Sequence, residues 1–348
     1  MSDIAIRREG RIGRITLTRP KALNALSYEM CLEIEAALKA WAGDEAVRMV
    51  LIDAEGGRAF CAGGDIAQMY ETGTRGDFAY GQKFWRDEYR MNARLFEFPK
   101  PVASLMQGFV MGGGVGVGCH GSHRVVGETS QVAMPECAIG LVPDVGGSLI
   151  LARAPGRLGE YLGTTGRRMG PGDAIHAGFA DYFIPQAKWL ALTAELTETG
   201  NWTAIDAAAE PPPEGDLPAL QAQVDALFAG DGLVDIVNAL KADGSDFATD
   251  ALRRLATGSP LSLACTIEIQ HRLDGVQGIR RALEMEYRFT HRAPEHSDFL
   301  EGIRAAIIDK DKSPRWQHPS LTAVPTADVA RMLMPLGDHA LKLEEELA

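Results

Sequence analysis

The sequence predicts an α/β fold followed by a helical C-terminal region, and three observations predict it. Short apolar runs of strand type alternate with helical patterns as far as residue 184. A glycine-rich stretch without a single Asp, Glu, Lys or Arg, Pro101 to His123, lies in the middle of that alternation. Beyond a proline-rich segment, Glu210-Pro-Pro-Pro-Glu-Gly215, only helix-type periodicity remains. Strand and helix in alternation mark an α/β layer, and the Pro/Gly-rich segment reads as a linker. Two regions follow, 1–209 and 216–348.

Taken in order, Ile4-Ala5-Ile6 and the alternating residues 11–18 suit two β-strands, the second ended by Pro20. Asn24 or Ser27 can cap a helix to about Trp41, with Met30, Ile34, Ala37, Leu38 and Trp41 at helical spacing. Val47 to Ile52 reads as a buried strand. A glycine-rich turn, Glu55 to Asp65, then feeds a short helix toward Tyr70. Residues 77–97 carry Phe78, Phe84, Tyr89, Leu95 and Phe96 on an inward helical face. A strand at Val102 to Met106, a turn at Gln107-Gly108, a helix opening from Met111 and a strand near Arg124-Val125-Val126 follow. Short helices at 156–165 and 171–177 and a strand near 182–184 complete the first region. The second shows helical segments near 217–229, 232–241, 246–257, 261–273, 277–290 and 298–309, and an amphipathic stretch from Asp328 to Leu347.

The charge-free stretch is a poor membrane span. A spanning helix needs about 20 mainly apolar residues, whereas seven glycines stand between Pro101 and His123, and each costs a helix roughly 1 kcal/mol against alanine. The chain as a whole has 46% hydrophobic and 24% charged residues among 348, an ordinary globular balance. A net charge of −12 with no basic run argues against a nucleic-acid partner. Five widely spaced cysteines suit reduced thiols, and an N-terminus lacking an apolar signal region leads us to expect a cytoplasmic protein.

Several motifs compete for the chemistry. Gly116-Val-Gly118-Cys-His-Gly121 has the spacing of a dinucleotide-binding turn, but it follows other glycines and precedes a strand, so the required context is missing. No histidine pairs with Cys, Asp or Glu at metal-ligand spacing, so no metal is expected. Cys61 and Cys137 carry no mark of an activated thiol and read as packing. Gly112-Gly113-Gly114 sits where a helix would start, and first-turn amides lack intrahelical acceptors. Such amides can hold a carbonyl oxygen that is becoming an anion, or the glycines can serve close helix–sheet packing. Glu136 follows Pro135 at a helix start, where an acid also suits the dipole. Asp144, eight residues on, can cap a helix beginning near Gly147. Together the two carboxyls beside two glycine turns suggest acid–base or nucleophilic work on a polarised carbonyl.

Phe60-Cys-Ala-Gly-Gly-Asp65, Met111-Gly-Gly-Gly114, Ala133-Met-Pro-Glu136 and Gly140 to Gly147 stand in the order of the enoyl-CoA hydratase/isomerase (crotonase) superfamily, which the sequence resembles. Ser259-Pro-Leu-Ser-Leu263, Met285-Glu-Tyr-Arg288, Asp298 to Arg304 and Ile308 to Trp316 are similar to signatures of its branch that hydrolyses 3-hydroxyisobutyryl-CoA. The resemblance covers about residues 4–320. It implies a crotonase-like spiral of β-β-α turns over 1–209, with the helices of 216–348 completing the hydrolase-type fold. It implies an acyl-CoA substrate whose thioester oxygen is held by the amides of Ala62 and Gly113, and no cofactor, CoA being part of the substrate. Glu136 and Asp144 take the catalytic places. Gly63, Gly64, Asp65 and Gly112 line the substrate, Arg58 meets the nucleotide phosphates, and Glu88 matches a position turned toward substrate, although a solvated helical charge is the other reading.

One departure separates the reactions inside that superfamily. Hydratases place a glutamate three residues after the middle glycine of the Gly-Gly-Gly run, where this sequence has Gly116. Asp144 fits the hydrolases instead. The expectation is therefore thioester hydrolysis of a short 3-hydroxyacyl-CoA in valine breakdown. An enoyl-CoA hydratase/isomerase and a non-catalytic acyl-CoA-binding protein are the alternatives. Cores of this superfamily associate into trimers or paired trimers, so a homo-oligomer is allowed, with the helical region placed to cover that surface.

Overall fold

The computed structural model describes residues 3–343. The chain begins β1 (Ile4–Glu9), β2 (Ile12–Leu17), α1 (Tyr28–Ala42), β3 (Met49–Ala54), β4 (Ala59–Cys61), α2 (Ala67–Gly73) and α3 (Ala79–Phe96). It continues through β5 (Val102–Met106), β6 (Phe109–Met111), α4 (Gly113–Gly118), β7 (His123–Val126), β8 (Gln131–Ala133), α5 (Gly147–Ala152), α6 (Leu158–Thr165), α7 (Pro171–His176) and β9 (Tyr182–Phe183). Helices follow: α8 (Trp189–Thr199), α9 (Thr203–Ala208), α10 (Leu217–Leu227), α11 (Leu233–Asp243), α12 (Asp246–Leu255), α13 (Pro260–Leu273), α14 (Ile279–His296), α15 (Phe299–Ile303) and α16 (Thr326–Leu333).

Two sheets share the strands in a regular way. The larger has the order β1-β2-β3-β5-β7-β9, parallel except for the β1–β2 hairpin. The smaller, β4-β6-β8, is wholly parallel. Successive turns of the chain thus give one strand to each sheet before a helix, so β3-β4, β5-β6 and β7-β8 wind as a spiral. Val50, Leu51 and Ile52 are completely buried, as strands covered on both faces require. One face meets a large core with α1, α3 and the later helices. The other, through Met49, Leu51, Leu105 and Val125, is covered by Leu192, Leu196 and Ile205 of α8 and α9. The strands of the smaller sheet are three residues each, too short for alternation to reveal, and the sequence pattern does not mark them.

Local signals explain the helix ends. Ser27 caps α1 by accepting from the Met30 amide at 3.3 Å, which decides between the two candidate caps. Asn24 serves the backbone elsewhere. At φ 54° it accepts from the Arg19 amide and donates to the carbonyls of Glu55 and Ala59. Ser259 caps α13 and donates to Asp298 at 2.6 Å, tying α13 to the segment before α15. The expected helix over 298–309 divides into α15 and a π-turn, Arg304–Ile308, around an Arg304 that binds Glu301, Asp309 and Asp311. The stretch expected from Asp328 is met by α16, which begins earlier, at Thr326, and by a 3-10 turn at Gly337–His339; its residues 344–347 lie outside the described ones.

The helices past residue 216 share the main core with the strands. Tyr287, Phe289 and Ile279 of α14 and Leu261, Cys265 and Ile269 of α13 belong to the same hydrophobic cluster as Ile15, Val50 and Val126. Among the described residues no helix is long and apolar enough to cross a membrane.

Candidate active site

The smaller sheet brings the two glycine turns together. β4 and β6 run parallel with Cys61 opposite Val110, so the residues that leave them, Ala62-Gly63-Gly64 and Gly112-Gly113, are neighbours. The 23–26 segment then uses up most of the first turn's backbone groups. The Ala62 amide donates to the Leu23 carbonyl at 3.1 Å, the Asp65 amide to Leu26 at 2.8 Å, and the Gly63 carbonyl accepts from Leu26. The amides of Gly63 and Gly64 are left over. Like that of Gly113, neither has an acceptor among the described residues, and it is the Gly64 nitrogen that a Cβ added to Gly113 would meet, at 3.3 Å. The amide pair is therefore Gly64 and Gly113. The expectation of Ala62 is corrected, because its N–H is already engaged.

Gly112 has to be a glycine twice over. Its φ is +50°, and a Cβ there would lie 2.9 Å from Oε1 of Glu136. That carboxyl begins a 3-10 turn, Glu136–Ile139, after Pro135. It lines a cavity of 290 Å³ with Ala62, Gly63, Gly64, Glu88, Gly112, Gly113 and Asp144, closed by Ile66, Met69, Trp85 and Leu141 and bordered by Ile307 of the π-turn. No Lys, Arg or His is among the lining residues.

Three acids thus share a hollow that offers no counter-charge. Glu88, Glu136 and Asp144 are exposed by only 3%, 5% and 4%. Burial, and then the neighbouring Asp144, pushes the Glu136 carboxyl well above its ordinary range, and its Oε2 has no hydrogen-bond partner. Burial likewise lifts Glu88, with Asp144 and Glu286 adding to it. Asp144 is raised by burial to about 7 despite the Tyr89 hydroxyl, which donates to its Oδ2 at 2.8 Å. Its side chain does not cap α5; the cap bond comes from its carbonyl, which accepts from Gly147 at 2.7 Å. A buried acid with a free oxygen beside two unclaimed amides can attack a carbonyl, or deprotonate water at it, while the amides take the developing charge.

Position 116 is filled by its neighbours. A Cβ on Gly116 would lie 2.8 Å from Nδ2 of Asn92, which donates to the Gly116 carbonyl, and 2.8 Å from Cβ of Val145. A carboxylate side chain has no room there.

Two expected residues do not reach the cavity. Arg58 is exposed and outside the lining, and the Asp65 carboxylate is taken by Arg19 at 3.0 Å. Three residues that sequence reasoning did not assign stand behind the acids. Tyr89 holds Asp144. Nε2 of His120 donates to the Val145 carbonyl at 2.7 Å, which fixes the protonated nitrogen because a carbonyl only accepts. Glu286 of α14, completely buried, accepts from the amides of Gly146 and Ser148 at 2.9 and 3.2 Å and from the Ser148 hydroxyl. The Met285-Glu-Tyr-Arg288 signature was the available pointer to it.

The remaining candidates are inert by their surroundings. Cys61 and Cys137 are buried thiols, both pushed up to about 12 by desolvation. A larger hollow of 690 Å³ lies against the hairpin and α8, but its Glu9 and Asp53 are paired with Arg14 at 3.2 and 2.6 Å. No group of three or more potential metal ligands occurs among the described residues.

Residues 12–333 match the enoyl-CoA hydratase/isomerase family. The mitochondrial 3-hydroxyisobutyryl-CoA hydrolase of Gallus gallus is 36% identical, over 98% of this chain and 91% of that protein. A solved structure described as an enoyl-CoA hydratase from Rhodobacter sphaeroides is 59% identical with a TM-score of 0.94, covering 98% of this chain and all of that one. Another, described as a carnitinyl-CoA dehydratase from Mycobacterium thermoresistibile, is 40% identical with a TM-score of 0.94 over 99% of each chain. These names differ in the reaction they give and agree in naming a CoA ester. With the spiral of paired strands, the facing glycine turns and a match across nearly all its length, the chain belongs to the enoyl-CoA hydratase/isomerase family.

Proposed function

We propose that the chain hydrolyses the thioester of a short 3-hydroxyacyl-CoA, foremost 3-hydroxyisobutyryl-CoA, releasing 3-hydroxyisobutyrate and CoA in valine breakdown. One observation carries this: Glu136, with an unpartnered oxygen, shares a cavity with Asp144 and with an unclaimed amide pair, while position 116 holds no acid. The thioester oxygen lies between the amides of Gly64 and Gly113, and each such donor is worth roughly 3–4 kcal/mol in the transition state. Glu136 and Asp144, buried in one cavity, share a proton; with it on Asp144, the Glu136 carboxylate attacks the carbonyl carbon, the C–S bond breaks, and the CoA sulfur leaves with that proton. Water, losing a proton to the Asp144 carboxylate, then opens the mixed anhydride, which releases the hydroxy acid and restores both Glu136 and Asp144. In the variant route Glu136 takes a proton from water, which attacks directly. Asp144, raised to about 7, can give and take a proton near neutrality. Glu88 contacts the substrate from the Gly113 side, and Arg58 is left for the nucleotide phosphates outside the cavity.

A hydratase reading draws on Glu88, which puts a second glutamate in the same cavity as Glu136. Free-thiol release from a panel of short acyl-CoA esters separates the readings. Release from 3-hydroxyisobutyryl-CoA is expected to exceed release from unsubstituted acyl esters, with no comparable hydration of crotonyl-CoA. Hydration faster than any hydrolysis would overturn the proposal in favour of the hydratase, and binding of esters without turnover would leave a carrier protein.

A further inference from the structure

The turn that presents Asp144 is held in an unfavourable shape. Val145 has a φ of +53° and Gly146 one of +81°. A left-handed conformation is natural for the glycine and a genuine outlier for a β-branched residue, whose Cβ crowds the backbone there. Such a turn persists only where its surroundings over-determine it. Two side chains do so. His120 donates to the Val145 carbonyl, and Glu286 accepts from the amides of Gly146 and Ser148 and from the Ser148 hydroxyl. Glu286 arrives on α14, whose Thr290 also receives the Tyr89 hydroxyl at 3.4 Å, the same hydroxyl that binds Asp144. An apolar side chain in place of this buried acid would leave its three donors unsatisfied, so the acid is not interchangeable packing.

We propose that Glu286 is a positioning residue for the reaction: it clamps the Asp144–Gly147 turn in its left-handed shape and thereby keeps the Asp144 carboxyl in the cavity of Glu136. It lies outside the cavity lining and acts through the turn that carries Asp144. The inference rests on the hydrolase reading above for the role of Asp144. Loosening the clamp lets the turn relax toward the φ that valine prefers, which moves the acid without removing it.

The test is a cycle of wild type, Glu286→Gln, Val145→Gly and the double variant, with kcat and KM for 3-hydroxyisobutyryl-CoA. Glu286→Gln keeps the shape but turns one acceptor oxygen into a donor, and is expected to lower kcat on the order of 10- to 100-fold, since small misplacements of a reacting group cost that much, with KM moved less than about threefold. In the Val145→Gly background, where glycine takes the turn unaided, the same substitution is expected to cost less than about threefold. An unchanged kcat, or an equal loss in both backgrounds, would overturn the clamp and leave Glu286 as structural glue. Should Glu286→Gln not fold, Ser148→Ala removes one donor alone; a smaller kcat loss at constant KM supports the clamp, and no loss sinks it. Should the wild type prove inert toward every CoA ester, the hydrolase reading fails by itself, and amide exchange at Gly146 and Ser148 decides the clamp: faster in Glu286→Gln if it holds, unchanged if it does not.

Discussion

The cavity has two walls made in opposite ways. On one side, Gly64, Gly112 and Gly113 do their work by lacking side chains, so that bare amides face the hollow and Glu136 can lie against the backbone. On the other, Glu88, Glu136 and Asp144 do theirs by being large, acidic and out of water. The first wall is set by sterics and cannot be titrated. The second is set by burial, so protons govern it. A substitution on the glycine side therefore acts by adding atoms, and one on the acid side by removing charge.

Three experiments sharpen that contrast, from the largest effect to the smallest. Glu136→Gln keeps the shape of the acid wall and removes the carboxyl proposed as nucleophile or base, so kcat for thiol release is expected to fall by about 10³-fold or more with the fold intact. Activity within tenfold of wild type would show that the charge of this wall is dispensable. Gly113→Ala adds one carbon 3.3 Å from both the Gly64 nitrogen and Oε1 of Glu88, in the space between the donors. The loss of one donor's alignment is expected to cost on the order of 10²-fold in kcat/KM, while the pH profile stays that of wild type; a shifted profile would mean that the walls are not separable. The third is thermal. Asp144 is raised from 3.8 to about 7, so its contribution to stability is full at low pH and is lost as pH rises through about 7. At pH 8 the wild type bears the whole cost of a buried charge that Asp144→Asn lacks. The variant is therefore expected to melt about 2–4 °C higher at pH 8, with the gap closing toward pH 4. A gap independent of pH would assign the effect to packing.

The same contrast explains what could be read in the sequence. Glu136, Asp144 and Gly113 were legible because each sits in a short local pattern, Pro-Glu, Pro-Asp and the glycine run, whose meaning does not depend on distant chain. The second amide was not. Whether Ala62 or Gly64 keeps a free N–H is decided by which amides the 23–26 segment claims, and nothing near residue 62 records that choice. Asp65 misled for a related reason, since Arg19 takes it from across the turn. The larger sheet, with long apolar strands, was visible in outline; β4, β6 and β8 were too short to show a period, although they carry the glycine turns. Glu286 was hidden differently. On a helix with a strong polar face a single buried glutamate has the same spacing as an exposed one, and only the partners at 146 and 148 tell them apart.

The placement of α14 also has a bearing on how the molecule comes into being. A ribosome that has translated Glu136 and Asp144 has still to make more than a hundred residues before Glu286, roughly ten to thirty seconds of synthesis at common elongation rates. During that interval the spiral lacks Ile279, Tyr287 and Phe289 from its interior as well as the carboxyl that receives Gly146 and Ser148. A nascent chain stopped before α14 should consequently be unable to turn over substrate, as release of thiol by stalled and completed chains would reveal. Competence arrives late, with the far end of the polypeptide.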